Sequence, residues 1–203
     1  MPLPRPHAER AQAELSDLAA TRRLAKTLAR CLQPGMKIYL SGDLGTGKTT
    51  LIRELLRQLG HAGRVNSPSF TLMEPYNLSK FEVHHFDFYR LSDPGAWRDA
   101  GFEDSFAGAA VVLVEWPEHA GGGLPTPDLS LTLRFVPSPP DGNAHQGRPT
   151  QAAQGPSQQN AEGDTFSDGL HRHLEIEAID ARGLSCLNAL LDEGCCAREP
   201  SQA

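Results

Sequence analysis

The sequence predicts an α/β fold. Short apolar segments of strand length alternate along the chain with stretches whose apolar residues recur every three or four positions. One segment, Val111, Val112, Leu113 and Val114, is continuously apolar, as in a strand covered on both faces. Two late segments, "DLSLTLRF" and "RHLEIEAI", alternate strictly between apolar and polar residues, as paired strands do.

The elements follow in chain order. Residues 11–32 read as one helix, because Leu15, Leu18, Ala25, Leu28 and Leu32 recur at helical spacing with a gap at Arg22. Gln33, Pro34 and Gly35 stop it. A short strand, "KIYL", leads into the glycine-rich stretch "SGDLGTGKTT", after which Leu51, Leu55 and Leu59 restore helical spacing up to Gly60. A strand is expected around Phe70 to Glu74, and another in "FEVHHFDFYRL", ending near Asp87. The apolar run ending at Val114 supplies the next strand. In the two alternating segments, Leu129, Leu131, Leu133 and Phe135 share one face, and Leu174, Ile176 and Ala178 share another. A last helix runs through Leu184, Leu187, Leu190 and Leu191.

Between the two alternating strands lies a segment dominated by Pro, Gly, Gln, Ser and Ala, with Phe166 its single aromatic residue. It carries too little apolar area to offset an ordering cost of about 1–2 kcal/mol per residue. Residues 137–168 are therefore expected to be a disordered insertion in a hairpin connection, and residues 195–203 a flexible tail. The remainder of the 203-residue chain suits one domain, 1–203.

The glycines have a chemical reading. Gly42, Asp43, Leu44, Gly45, Thr46, Gly47, Lys48 and Thr49 match the pattern G-x-x-x-x-G-K-[ST], and Thr50 follows. An apolar strand precedes the match and an amphipathic helix follows it, as a phosphate loop requires. Glycines let successive backbone N–H groups converge on one anion, and they leave room for phosphates to approach. The helix start near Lys48 adds its positive end. Lys48 offers a point charge to the β- and γ-phosphates, and the Thr49 hydroxyl can ligate Mg2+. Asp43 would repel phosphate, so it is expected to point outward or to position metal or water. A further metal-side carboxylate belongs at the end of a neighbouring strand. Glu115, directly after Val114, and Asp87 both qualify. Trp116 follows Glu115 as either a packing anchor or part of the site. Ser67 and Ser69 lie in a loop that could sense the γ-phosphate through hydroxyls. The whole predicts a P-loop NTPase-like three-layer sandwich with a mostly parallel central sheet and an antiparallel C-terminal strand pair, binding a nucleotide with Mg2+.

Composition excludes other classes. A net charge of −6 does not suit a protein that grips nucleic acid with a general basic surface. No apolar run reaches membrane-spanning length, and "MPLPRPHAER" lacks a signal core, so a cytoplasmic location without membrane contact is expected. Cys31, Cys186, Cys195 and Cys196 form no metal-binding pattern and read as reduced thiols. His84, His85, His171 and His173 have no partners at ligand spacing.

Five segments together, "GDLGTGKTT", "NSPSFTL", "EPY", "HFDFYRL" and "VEWPE", resemble the bacterial TsaE family, also called YjeE. The resemblance covers most of 15–135 and resumes over 169–191. It implies a small ATPase acting in the formation of threonylcarbamoyladenosine in tRNA, with TsaD and TsaB proteins as partners and tRNA met indirectly through their complex. TsaD would transfer the threonylcarbamoyl group, and ATP hydrolysis would support repeated turnover. Carried over by residue, Gly42 to Thr50 would bind phosphates, and Thr49 and Glu115 would hold Mg2+. Asp87 and Trp116 would belong to the hydrolytic or coupling machinery, and Thr21 would lie near the nucleotide base. The chain departs from the family at Thr46, where alanine is usual, at Asn66 for lysine and at Ser69 for threonine. Its insertion is also long for the family. A small-molecule kinase and a nucleotide-gated, non-catalytic binding module are the alternatives, but the insertion, where a kinase lid would sit, holds only Arg148. No arginine finger is assigned, although Arg90 stands beside the strand carrying Asp87.

Overall fold

The computed structural model of the chain describes residues 8–136 and 171–199. Its elements are β1 (Glu9–Leu15), α1 (Leu18–Cys31), β2 (Lys37–Ser41), α2 (Lys48–Gln58), β3 (Met73–Asn77), β4 (Glu82–Asp87), α3 (Ala96–Asp99), α4 (Glu103–Ala107), β5 (Val111–Glu115), a 3-10 turn (Pro117–Ala120), β6 (Leu129–Phe135), β7 (Arg172–Ala178), α5 (Ala181–Asp192) and β8 (Ala197–Arg198). The described strands form one sheet in the order β3-β4-β5-β2-β6-β7-β1-β8. The middle strands β4, β5, β2 and β6 run parallel. β3 is antiparallel at one edge, and β7, β1 and β8 continue antiparallel beyond β6.

The expected parallel centre and antiparallel C-terminal pair are both present, and β1 and β8 lengthen the antiparallel side. β8 uses residues 197 and 198 of the expected tail, which pair with Gln12 and Ala11 of β1. Residues 200–203 and the expected insertion 137–168 lie outside the described residues.

One element differs in kind from its sequence reading. The helix expected over 11–32 begins only at Leu18, and Glu9–Leu15 is a strand. Ala11, Ala13 and Leu15 are buried alternately, with period two, and the strand pairs with β7 over its whole length. Alanine favours helices, but a free sheet edge offered more burial and seven residues of pairing, and tertiary context prevailed. Asp17 marks the change. Its side chain accepts the Ala20 N–H at 2.6 Å and caps α1. The strand expected around Phe70 to Glu74 lies instead at Met73–Asn77, with Pro75 tolerated because β3 is an edge strand.

The sheet is covered on both faces. Ile38 and Leu40 of β2, with Val111 and Leu113 of β5, pack beneath α1, α2 and α5. The opposite face carries Tyr39, Val112, Val114 and Phe86 against Trp97 of α3 and Phe106 of α4. Side chains two apart on a strand share a face. Leu113 therefore fixes the side on which Glu115 emerges, and Val83 does the same for His85 and Asp87. That side is the one on which α2 starts.

Candidate active site

The glycine-rich loop connects the C-terminal end of β2 to the first turn of α2. Gly42 has φ +132°, and a Cβ there would stand 2.1 Å from the Leu133 carbonyl oxygen, so no other residue fits. Gly47, at φ +99°, turns the chain into α2. Thr46 closes the loop, its hydroxyl donating to the Asp43 carbonyl at 2.9 Å. Asp43 itself is exposed, near enough to Lys48 for its carboxylate to act on the ammonium.

The Lys48 ammonium donates to the carbonyls of Gly42 (2.6 Å) and Asp43 (2.9 Å) and lies 3.7 Å from the centroid of the Trp116 ring. Burial pushes its pKa below the ordinary lysine value, and the carboxylates of Glu115, Glu118, Asp87 and Asp43 pull against that shift.

At the neighbouring strand ends, Asp87 and Glu115 stand side by side in the register of β4 and β5. Glu115 is 2% exposed. The Thr49 hydroxyl lies 2.9 Å from each of its oxygens. His85 Nε2 lies 2.9 Å from Oε1; because a carboxylate only accepts, the imidazole is the donor. Asp87 accepts from the Ser67 hydroxyl on one oxygen and from the Tyr89 N–H, at 2.8 Å, on the other. Trp116 adopts a left-handed backbone with φ 59°, uncommon for a bulky residue, and its N–H is tied to the Leu40 carbonyl at 3.1 Å. Its ring lies 5.1 Å from that of Tyr89.

These groups line one cleft of about 330 Å³. The loop contributes Leu44, Gly45, Gly47, Lys48, Thr49 and Thr50, and the strand ends contribute Asp87, Glu115 and Trp116. Ser67, Ser69, Tyr89, Arg90 and Arg172 complete the wall. Gly42, Asp43 and Thr46 belong to the loop but do not line the cleft. Thr21 is buried in α1, with its hydroxyl on the Asp17 carbonyl, and borders a small space behind the loop rather than the cleft.

Thr49 and Glu115 provide hard oxygen donors beside a loop built for phosphate, a set that suits Mg2+ completed by phosphate oxygens and water. Among the described residues no group of three His, Cys, Asp or Glu forms an all-protein metal site. No helix among them is long and apolar enough to cross a membrane.

Three site residues are not evident from the sequence pattern. Tyr89 lines the cleft two residues after Asp87, with no motif to mark it. His85 suggests at most a metal ligand in the sequence, yet it sits on the face of Val83 and Asp87, two residues before a candidate acid. Arg172 is in phase with the buried Leu174 and Ile176. A charged residue in a buried phase was the available signal.

Comparison with known proteins agrees with this fold. The family model described as "Threonylcarbamoyl adenosine biosynthesis protein TsaE" matches residues 15–138. A Haemophilus influenzae protein named "tRNA threonylcarbamoyladenosine biosynthesis protein TsaE" is 39% identical over 123 residues, covering 60% of this chain and 78% of that protein. The Bacillus subtilis protein of the same name is 37% identical over 114 residues, or 56% of this chain and 71% of that one. A crystal structure of Bacillus subtilis YdiB superposes with a TM-score of 0.66 over 93% of this chain and 99% of that one. At 22% identity it speaks for the fold alone, a P-loop NTPase-like α/β architecture. By the family match and the relatives' identity, the chain belongs to the TsaE family.

Proposed function

We propose that this protein is a Mg2+-dependent ATPase that serves the formation of threonylcarbamoyladenosine in tRNA. The observation that carries the reading is the Thr49 hydroxyl on both oxygens of the buried Glu115, beside a complete phosphate loop. The names of the family and of its relatives supply the biological setting.

In the proposed site, the N–H groups of 42–50 and the positive end of α2 receive the triphosphate, with Lys48 adding a full charge. Thr49 and Glu115 hold the metal, which when bound offsets charge on the γ-phosphoryl group as it is transferred. Asp87, with both oxygens already fixed, orients the attacking water. Trp116, packed on Lys48 and Tyr89, links the site to whatever covers the cleft. Hydrolysis by the isolated chain is slow and supports repeated turnover of a TsaD–TsaB pair, through which tRNA is met. The setting is the cytoplasm.

The test is reconstituted tRNA modification with TsaD and TsaB, with phosphate release followed in parallel. Multiple turnovers should require this chain, and Glu115→Ala should abolish both signals. Equal turnover with wild type and Glu115→Ala would mark a non-catalytic binding module, and a phosphorylated small-molecule product would mark a kinase.

A further inference from the structure

Two arginines line the cleft, and the sheet sets them apart. The phosphate loop leaves β2, with β5 and β4 on one side and β6 and β7 on the other. Asp87 and Glu115 end the strands of the first side. Arg172 opens β7 on the second, where it pairs with Phe135 and Leu15. β7 runs antiparallel to β6, so its first residue lies at the loop end of the sheet.

Arg172 is 4% exposed and lies beside the loop at Gly47. Its Cδ and Nε would stand 3.7 and 3.6 Å from a Cβ built on Gly47. The arginine stem therefore lies within van der Waals reach of the Gly47 turn. Arg172 lines the cleft together with Gly47 and Thr50, the residues flanking Lys48 and Thr49.

We propose that Arg172 binds the α-phosphate of the nucleotide. The inference rests on the ATPase reading and deepens it. Thr49 and Glu115, the residues that would hold the metal, stand at the β5 side, where it would offset the charge of the outer phosphates. The inner end of the triphosphate then falls on the opposite flank of the loop, where Arg172 stands. A guanidinium presents a planar fork of donors that matches two phosphate oxygens, where the Lys48 ammonium acts as a point charge. Arg172 is thus a binding residue shared by ATP and ADP, on the flank away from the transferred group.

The experiment is calorimetric titration of the full chain with ATP and with ADP, each with Mg2+, in wild type, Arg172→Gln and Arg172→Lys. Loss of one charge-assisted contact is expected to weaken both nucleotides by the same factor, about tenfold to a hundredfold. Arg172→Lys should recover part of the loss. The upward shift of the melting temperature on adding ADP, measured against each variant's own nucleotide-free value, should shrink. Weakened ATP with unchanged ADP would place the guanidinium on the γ-phosphate and overturn the proposal. Unchanged affinity for both would make Arg172 merely structural. If Arg172→Gln fails to fold, Arg172→Lys decides, since unchanged affinities in that variant also overturn the proposal. Failure of the wild type to bind either nucleotide would instead defeat the ATPase reading itself.

Discussion

At the residue scale, the acid at the end of β5 is held from two directions. Thr49 holds both oxygens of Glu115, and His85, fully buried on β4, holds one of them. A partner of this kind fixes the orientation of a metal-holding carboxylate, and its loss typically costs 10–100-fold in metal affinity. His85→Ala should therefore raise the Mg2+ concentration needed for half-maximal phosphate release by about that factor. His85→Gln, whose amide N–H2 can reach the same oxygen, should recover part of it. A Mg2+ titration of phosphate release checks this, and unchanged Mg2+ dependence in His85→Ala would contradict it. Lys48, Thr49, Glu115 and Asp87 were legible in the sequence because each occupies a place the chemistry prescribes, in the loop motif or at a strand end. His85 and Arg172 were not, because their roles come from strand pairing. Only the registers of β4 with β5 and of β7 with β6 bring them to the site.

At the scale of elements, strands β2, β4, β5, β6 and β7 were legible as apolar runs or clean alternation, and α2 and α5 as helical spacing. β1 was not, since "AQAEL" carries helix-favouring residues and only its partner β7 makes it a strand. The contact between α1 and α5 has a chemical signature of its own. The Cys31 thiol of α1 donates to the Thr27 carbonyl at 3.2 Å, and its pairing with Cys186 of α5 lowers its pKa to about 7, with burial opposing the shift. The same pairing and burial push the Cys186 thiol up. Thiolate is the reactive form. The sign is such that Cys31 reacts at lower pH than an ordinary thiol, whose pKa is about 8.5. Site-resolved alkylation followed by mass spectrometry should give Cys31 a rate midpoint near pH 7. Cys186→Ala should move that midpoint upward. A wild-type midpoint at the ordinary thiol value would contradict the pairing.

At the scale of the whole molecule, the sheet separates two tasks. Its parallel half, β4-β5-β2-β6, ends in the loop and the two acids, and its antiparallel half, β7-β1-β8, backs the loop from the other side. Against a net charge of −6 overall, the cleft gathers Lys48, Arg90 and Arg172 beside Asp87 and Glu115. A ligand that binds the folded chain alone stabilises it by mass action, by about 2.7 kcal/mol at a hundredfold excess over its Kd. ATP with Mg2+ should therefore raise the melting temperature in a concentration-dependent way. Lys48→Ala should abolish most of the shift. The most direct measurement is calorimetric titration of the purified chain with ATP in the presence and absence of Mg2+. Saturable heat that Mg2+ strengthens and Lys48→Ala removes is the expected result. No heat of binding up to millimolar nucleotide from the folded wild-type chain would contradict the central claim, that this loop and the Thr49–Glu115 pair form a site for Mg2+ and ATP.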